Sequence, residues 1–135
     1  MTATDTVTAE HLKQAGLRPT RQRLCLTQLL FAKGHRHLTA EQLHQEASTC
    51  GMPVSLATVY NTLHALTGAG LLHHVVVDQG HSYFDTNLDP HHHFYFETSG
   101  RLEDIHAGGI EVTGLPAAPE GSAVARVDVI VRVTG

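Results

Sequence analysis

Residues 55–85 read SLATVYNTLHALTGAGLLHHVVVDQGHSYFD, and this stretch decides the fold. Ser55 is a favoured N-cap, and Leu56, Val59, Leu63 and Leu66 recur at helical spacing. They predict a helix over about 56–69, ended by Gly70, with those four side chains facing inward. Ala57, Asn61 and His64 then face outward, flanked by Thr58 and Tyr60. A helix that met only water would usually carry Lys and Glu there. A small polar face with a Tyr and an Asn suits insertion into the major groove of a duplex. The β-prone runs 71–77 and 81–85 lie on either side of Asp78-Gln79-Gly80, which predicts a hairpin.

Upstream, the same punctuation marks three more helices. Thr8 caps a short one that ends at Gly16. Pro19-Thr20 opens a second, to about residue 32, with Leu26, Leu29 and Leu30 on one face. Thr39 and Gln42 have the spacing of a capping box for a third, whose buried stripe is Ala40, Leu43 and Ala47. Helices followed by a hairpin are the order of a winged helix-turn-helix. Such modules read DNA or serve as protein platforms, and architecture alone does not choose between them. The formal net charge is −4, but it is unevenly spread. Residues 1–77 carry six Lys and Arg against four acids, and residues 78–135 carry three Arg against nine acids. A local basic cluster governs phosphate attraction more than the total does.

Downstream, residues 86–90 are polar and turn-forming and read as a hinge linker. Residues 91–97 and 101–105 are strand candidates around Thr98-Ser99-Gly100, and residues 106–122, rich in Gly and Pro, are expected to be irregular. In residues 124–133, Val127, Val129, Val131 and Val133 alternate with polar side chains, as in a half-buried strand. The expected fold class is α+β. A winged-helix domain (1–85) and the linker precede a small α/β, mainly β, domain (91–135) for dimerisation and metal sensing. A sheet this small buries too little alone, so it is expected to pair with a second copy. No apolar run approaches the ~20 residues of a membrane span, and no signal peptide is evident, so a cytoplasmic location is expected. Cys25 and Cys50 lack a C-x-x-C arrangement and read as reduced thiols.

Histidine is the strongest compositional signal: 12 of 135 residues, three of them consecutive at 91–93. Strand geometry puts His91, His93 and Tyr95 on one side and His92, Phe94 and Phe96 on the other. His91 and His93 can therefore share an ion. Asp85 lies just upstream and Asp104 on the return strand of the same hairpin. Imidazoles with carboxylates and no thiolate suit Fe(II), Mn(II) or Zn(II).

Several motifs in one order resemble the ferric uptake regulator (Fur) superfamily over about residues 10–133. These are Gly16-Leu17-Arg18-Pro19-Thr20-Arg21-Gln22-Arg23, His37-Leu38-Thr39-Ala40-Glu41, residues 55–63, Tyr83-Phe84-Asp85, the histidine run and Leu102-Glu103-Asp104. The ending, Pro116 to Gly121 followed by Ala125 to Val129, is most similar to the iron response regulator branch. The resemblance implies a homodimer that binds an A/T-rich inverted repeat in double-stranded DNA. Tyr60 would touch thymine methyls, and Arg18 and Arg23 would join Ala57, Thr58, Asn61 and His64 at the duplex. It implies a hinge metal site of His37, Asp85, His91, His93 and Asp104 for Fe, Mn or Zn. Spacing alone does not bring His37 to the others. In this branch His91-His92-His93 is also associated with haem. Thr98-Ser99-Gly100 stands where relatives carry paired cysteines, so no Cys-type structural zinc is expected.

The function expected is thus an iron- or haem-responsive transcriptional regulator and not an enzyme. Asp104 also resembles the peroxide-sensing branch, where oxidation of ligating histidines disables the protein. From another class, Asp85, His91 and His93 match the ligand set of a non-haem iron enzyme. Such a site needs a substrate cavity, which a chain this short has little room to build.

Overall fold

The structure, a computed structural model, describes residues 3–78 and 80–135. It divides into two compact units, Met1–Leu88 and Asp89–Gly135. In order, the first contains α1 (Ala3–Gln14), α2 (Arg21–Phe31), β1 (His37–Leu38), α3 (Ala40–Thr49), α4 (Leu56–Gly68), β2 (His73–Asp78) and β3 (His81–Asp85). The second contains β4 (His91–Phe96), β5 (Arg101–His106), a 3-10 turn at Ala107–Gly109 and β6 (Ile130–Val133).

Local chemistry sets most of the boundaries in the first unit. Thr20, Thr39 and Ser55 each sit in extended backbone and accept a hydrogen bond from an amide in the first turn of α2, α3 and α4. At Thr39 the capping box is complete, with Gln42 accepting from the Thr39 amide at 2.8 Å. Gly70, at φ +79°, closes α4: its amide bonds to Thr67 and the Leu71 amide reaches back to Leu66. Leu26 and Leu30 of α2, Leu43 and Ala47 of α3, and Val59, Leu63 and Leu66 of α4 pack with Phe84 of β3 into one core. Arg36 ties the layer together, clamping Glu46 with two hydrogen bonds and donating to the Leu29 carbonyl at 3.1 Å.

Four expectations need correction. The first helix does not start at Thr8 but runs from Ala3, with Thr8 buried inside it. A hydroxyl residue marks a cap only weakly when the residues before it also accept helical geometry. Leu56 does not face the core: it is 36% exposed, because the first turn of α4 projects beyond the packed layer, and Thr62 is buried instead. His37 and Leu38, for which the sequence reading gives no strand, form a short one that pairs antiparallel with β3, giving the sheet order β1-β3-β2. The expected strand over 124–133 shrinks to Ile130–Val133, and Val124 and Val127 are exposed. A strand exists only where a neighbour completes its ladder, and β6 finds one in β4, parallel, from His93↔Ile130 to Phe96↔Val133. The centre of the expected hairpin turn, Gln79, lies outside the described residues.

The second unit is a three-stranded sheet in the order β5-β4-β6. β4 and β5 form an antiparallel hairpin that pairs His91 with His106, His93 with Asp104 and Tyr95 with Leu102. His91, His93 and Tyr95 are buried, while His92, Phe94 and Phe96 are half-buried, which is the alternation expected from the sequence.

Candidate metal centre and nucleic-acid interface

In the second unit, β4 and β5 assemble a compact donor group. His93 and Asp104 are cross-strand partners, so their side chains rise from the same face, which His91 shares. His91 Nε2 lies 3.7 Å and His93 Nε2 3.3 Å from Asp104 Oδ1. The two imidazoles are 5% and 1% exposed, with ring centroids 4.6 Å apart. His91 Nδ1 is 2.6 Å from the Asp89 carbonyl, a distance that makes it the protonated nitrogen and directs the Nε2 lone pair towards the carboxylate. Fixing a ligand through its second nitrogen is how proteins orient histidines for a metal. Two buried imidazoles converging on a carboxylate fit a divalent ion of the Fe, Mn or Zn type, and each offers a ligand atom within 4.8 Å of the others.

The first unit holds the other two residues expected at the metal. His37 of β1 and Asp85 of β3 are cross-strand partners. The His37 ring meets Tyr83 edge-on at 6.4 Å, and Asp85 accepts from the Asn87 amide at 2.9 Å. Each unit thus brings its own members of the expected set together on adjacent strands.

The haem candidates separate within this geometry. His91 and His93 face Asp104, whereas His92 points to the other side of β4 and accepts the Val129 amide on Nδ1 at 3.1 Å, fastening the approach to β6.

The residues expected at DNA lie on two edges of the first unit. Ala57, Asn61 and His64 are exposed along α4, with Thr58 and Tyr60 half-buried beside them. Tyr60 stacks loosely on His64, at 6.0 Å between centroids, and its hydroxyl donates to Glu41 Oε1 at 2.6 Å. That bond holds the Glu41 carboxyl below its ordinary range and pushes the Tyr60 phenol above its own. Arg18, Thr20, Arg21, Gln22, Arg23 and Thr58 line an open cleft of about 490 Å³. Arg23 donates to the Arg18 carbonyl at 3.2 Å, so the two arginines expected at the duplex share one corner. Glu41 and Arg21, read in the sequence only as members of longer motifs, stand beside these residues. Glu41 is 19 positions from Tyr60, and no spacing rule links residues on different helices.

Comparison with known proteins converges on one group. Residues 14–131 match the model of the ferric uptake regulator family. The chain is similar to the peroxide-responsive repressor PerR of Staphylococcus epidermidis, at 33% identity over 70% of this chain and 63% of that protein. It therefore spans just under two thirds of the length of the curated relatives it matches. Among solved structures it is similar to a ferric uptake regulator from Pseudomonas aeruginosa with manganese, at TM-score 0.71 and 26% identity over 96% of this chain and 98% of that one. The peroxide stress regulator of Campylobacter jejuni shares the fold, at TM-score 0.62 and 23% identity over 100% of this chain and 97% of that one.

Proposed function

The chain belongs to the ferric uptake regulator family, and from that premise we propose that it is a metal-responsive transcriptional regulator that binds DNA through α4 as a homodimer. The observation that carries this reading is the convergence of His91, His93 and Asp104 on one face of a hairpin that directly follows a winged-helix unit. A regulator needs a reader and a sensor on one chain, and these are the two. An oxygenase reading has no comparable support: family membership points to regulation, not catalysis.

In this reading His91 and His93 each present Nε2 to a divalent metal, with Asp104 as the carboxylate donor. His37 and Asp85, paired on β1 and β3, supply the remaining ligands. Fe(II), Mn(II) and Zn(II) all suit the donor set, and manganese accompanies the Pseudomonas relative. The bound ion supplies positive charge and a fixed geometry that separate carboxylates and imidazoles lack. Ligands drawn from both units favour one arrangement of the reading helices, which is the differential affinity a two-state switch requires. Two copies of α4 would then meet successive major grooves of an A/T-rich inverted repeat, in the cytoplasm where the genome lies. Arg18 and Arg23 serve the phosphates, and Tyr60, Asn61, Ala57, Thr58 and His64 face the bases.

The finer signal we propose is iron or haem status. Haem and metal would compete on this chain, because His91 and His93 serve both and His92 is engaged with Val129. Peroxide sensing is the second reading, favoured by the 33% identity to PerR and by Asp104 as the carboxylate ligand. Oxygen added to any of the ligating histidines (His37, His91 or His93) after peroxide treatment of the Fe(II) protein, read by peptide mass, would select it.

The deciding experiment is fluorescence anisotropy on an A/T-rich inverted repeat with chelator-stripped protein, at fixed salt, before and after Mn(II). Tightening by at least about tenfold, the equivalent of ~1.4 kcal/mol, is expected. The same affinity with and without metal would overturn the switch. Loss of the Mn(II) response in the His91→Ala/His93→Ala double variant is the accompanying control.

A further inference from the structure

Tyr60 is expected to read bases, yet its only hydroxyl proton is already committed. The phenol donates at 2.6 Å to Glu41 Oε1, from the first turn of α3. A tyrosine hydroxyl has one proton to give and lone pairs to receive. While Glu41 is ionised, that proton has no second use, and the oxygen turns an acceptor to anything else it meets. The hydrogen bond itself keeps Glu41 ionised at neutral pH, since it lowers that carboxyl and raises the phenol.

We propose that Glu41 is a specificity-determining residue that sets the hydrogen-bond polarity of Tyr60, so that its oxygen accepts from an amino-bearing base, adenine N6 or cytosine N4, in the major groove. This rests on the reading of α4 as the DNA-contacting helix. The groove code supplies the discrimination: adenine N6 and cytosine N4 are amino donors there, whereas thymine O4, guanine O6 and the purine N7 atoms are acceptors. An acceptor oxygen facing another acceptor makes no bond and repels. Thymine methyls beside the same ring remain compatible, since they touch carbon. Glu41 acts through Tyr60 and is not itself required to touch the duplex.

The test is selection from a duplex pool with a randomised core, using the Mn(II)-loaded chain at fixed salt, for wild type, Glu41→Ala, Glu41→Gln and Tyr60→Phe. Wild type is expected to favour adenine or cytosine at one position per half-site by roughly three- to tenfold, the value of one hydrogen bond. In Glu41→Ala the phenol is free to donate, so thymine or guanine is accepted there and the preference falls below about twofold. Tyr60→Phe is expected to lose the same position, and adding Glu41→Ala to it to change nothing further. A titration of ¹³C-labelled tyrosine, without DNA, checks the contact itself: the Tyr60 phenol should ionise at lower pH in Glu41→Gln than in wild type. Unchanged base preference in Glu41→Ala, or an unmoved Tyr60 titration, overturns this inference alone. A wild-type pool with no sequence preference overturns the DNA-reading function and this inference together.

Discussion

At the scale of single residues, burial and partner decide what each titratable group contributes. His11 stacks on Phe31 at 4.4 Å, its Nδ1 is buried without a hydrogen-bond partner, and burial lowers its pKa. His74, stacked on Phe84 at 4.7 Å, is lowered by burial and then by the charge of His64. A histidine with a depressed folded-state pKa binds protons more readily when unfolded. Stability is therefore unaffected above about pH 6.5, the unfolded value, and declines as pH falls below it. Urea denaturation at pH 7.5 and 5.5 is expected to show this loss, and His11→Phe, which keeps the stack, to reduce it; an equal loss in the variant would contradict the assignment. Glu46 behaves oppositely: hydrogen bonding to Arg36 lowers its pKa, so its contribution is present above about pH 4.5 and fades below that. Glu46→Gln is expected to cost about 1 kcal/mol or less at pH 7, since the pair is partly exposed, and progressively less as the pH is lowered below about 4.5. The sequence made the sorting of His91 and His93 from His92 legible, because strand alternation is a local rule. It left the Glu41–Tyr60 and Arg36–Glu46 contacts hidden, since these depend on how separate helices meet.

At the scale of elements, the caps and the core stripe carry the winged-helix unit. Thr39→Ala removes the acceptor for the Gln42 amide and breaks the capping box, which is expected to cost about 1 kcal/mol in denaturant unfolding. Leu63→Ala opens a void in the fully buried face of α4 and is expected to cost about 2–5 kcal/mol, whereas Leu56→Ala, at the exposed first turn, should cost well under half as much. Equal costs at the two positions would show that Leu56 is packed after all. These elements were readable because cap, stripe and terminating glycine are encoded within a few residues of one another. β1 and β6 were not, or not fully: two residues of β1 carry no periodicity, and β6 ends where its ladder with β4 ends.

At the scale of the molecule, metal should act as a ligand of the folded state. Binding at a hundredfold excess over the dissociation constant adds about 2.7 kcal/mol of stability, so Mn(II) is expected to raise the Tm of wild type but not of His91→Ala/His93→Ala. A rise in the double variant would place the metal elsewhere. The sequence by itself determined the order of helices and hairpin, the caps of α2, α3 and α4, the side of β4 on which His91 and His93 stand, and the resemblance to one regulator family. All of these follow from chemistry between near neighbours or from motifs in linear order. Only the tertiary structure decided that Asp104 faces His93, that His37 pairs with Asp85, that Tyr60 gives its proton to Glu41, and that the final valine-rich stretch is a strand for only four residues. Strand register and helix packing join residues far apart in the chain. Their free energy comes from surfaces that exist only once the elements have met.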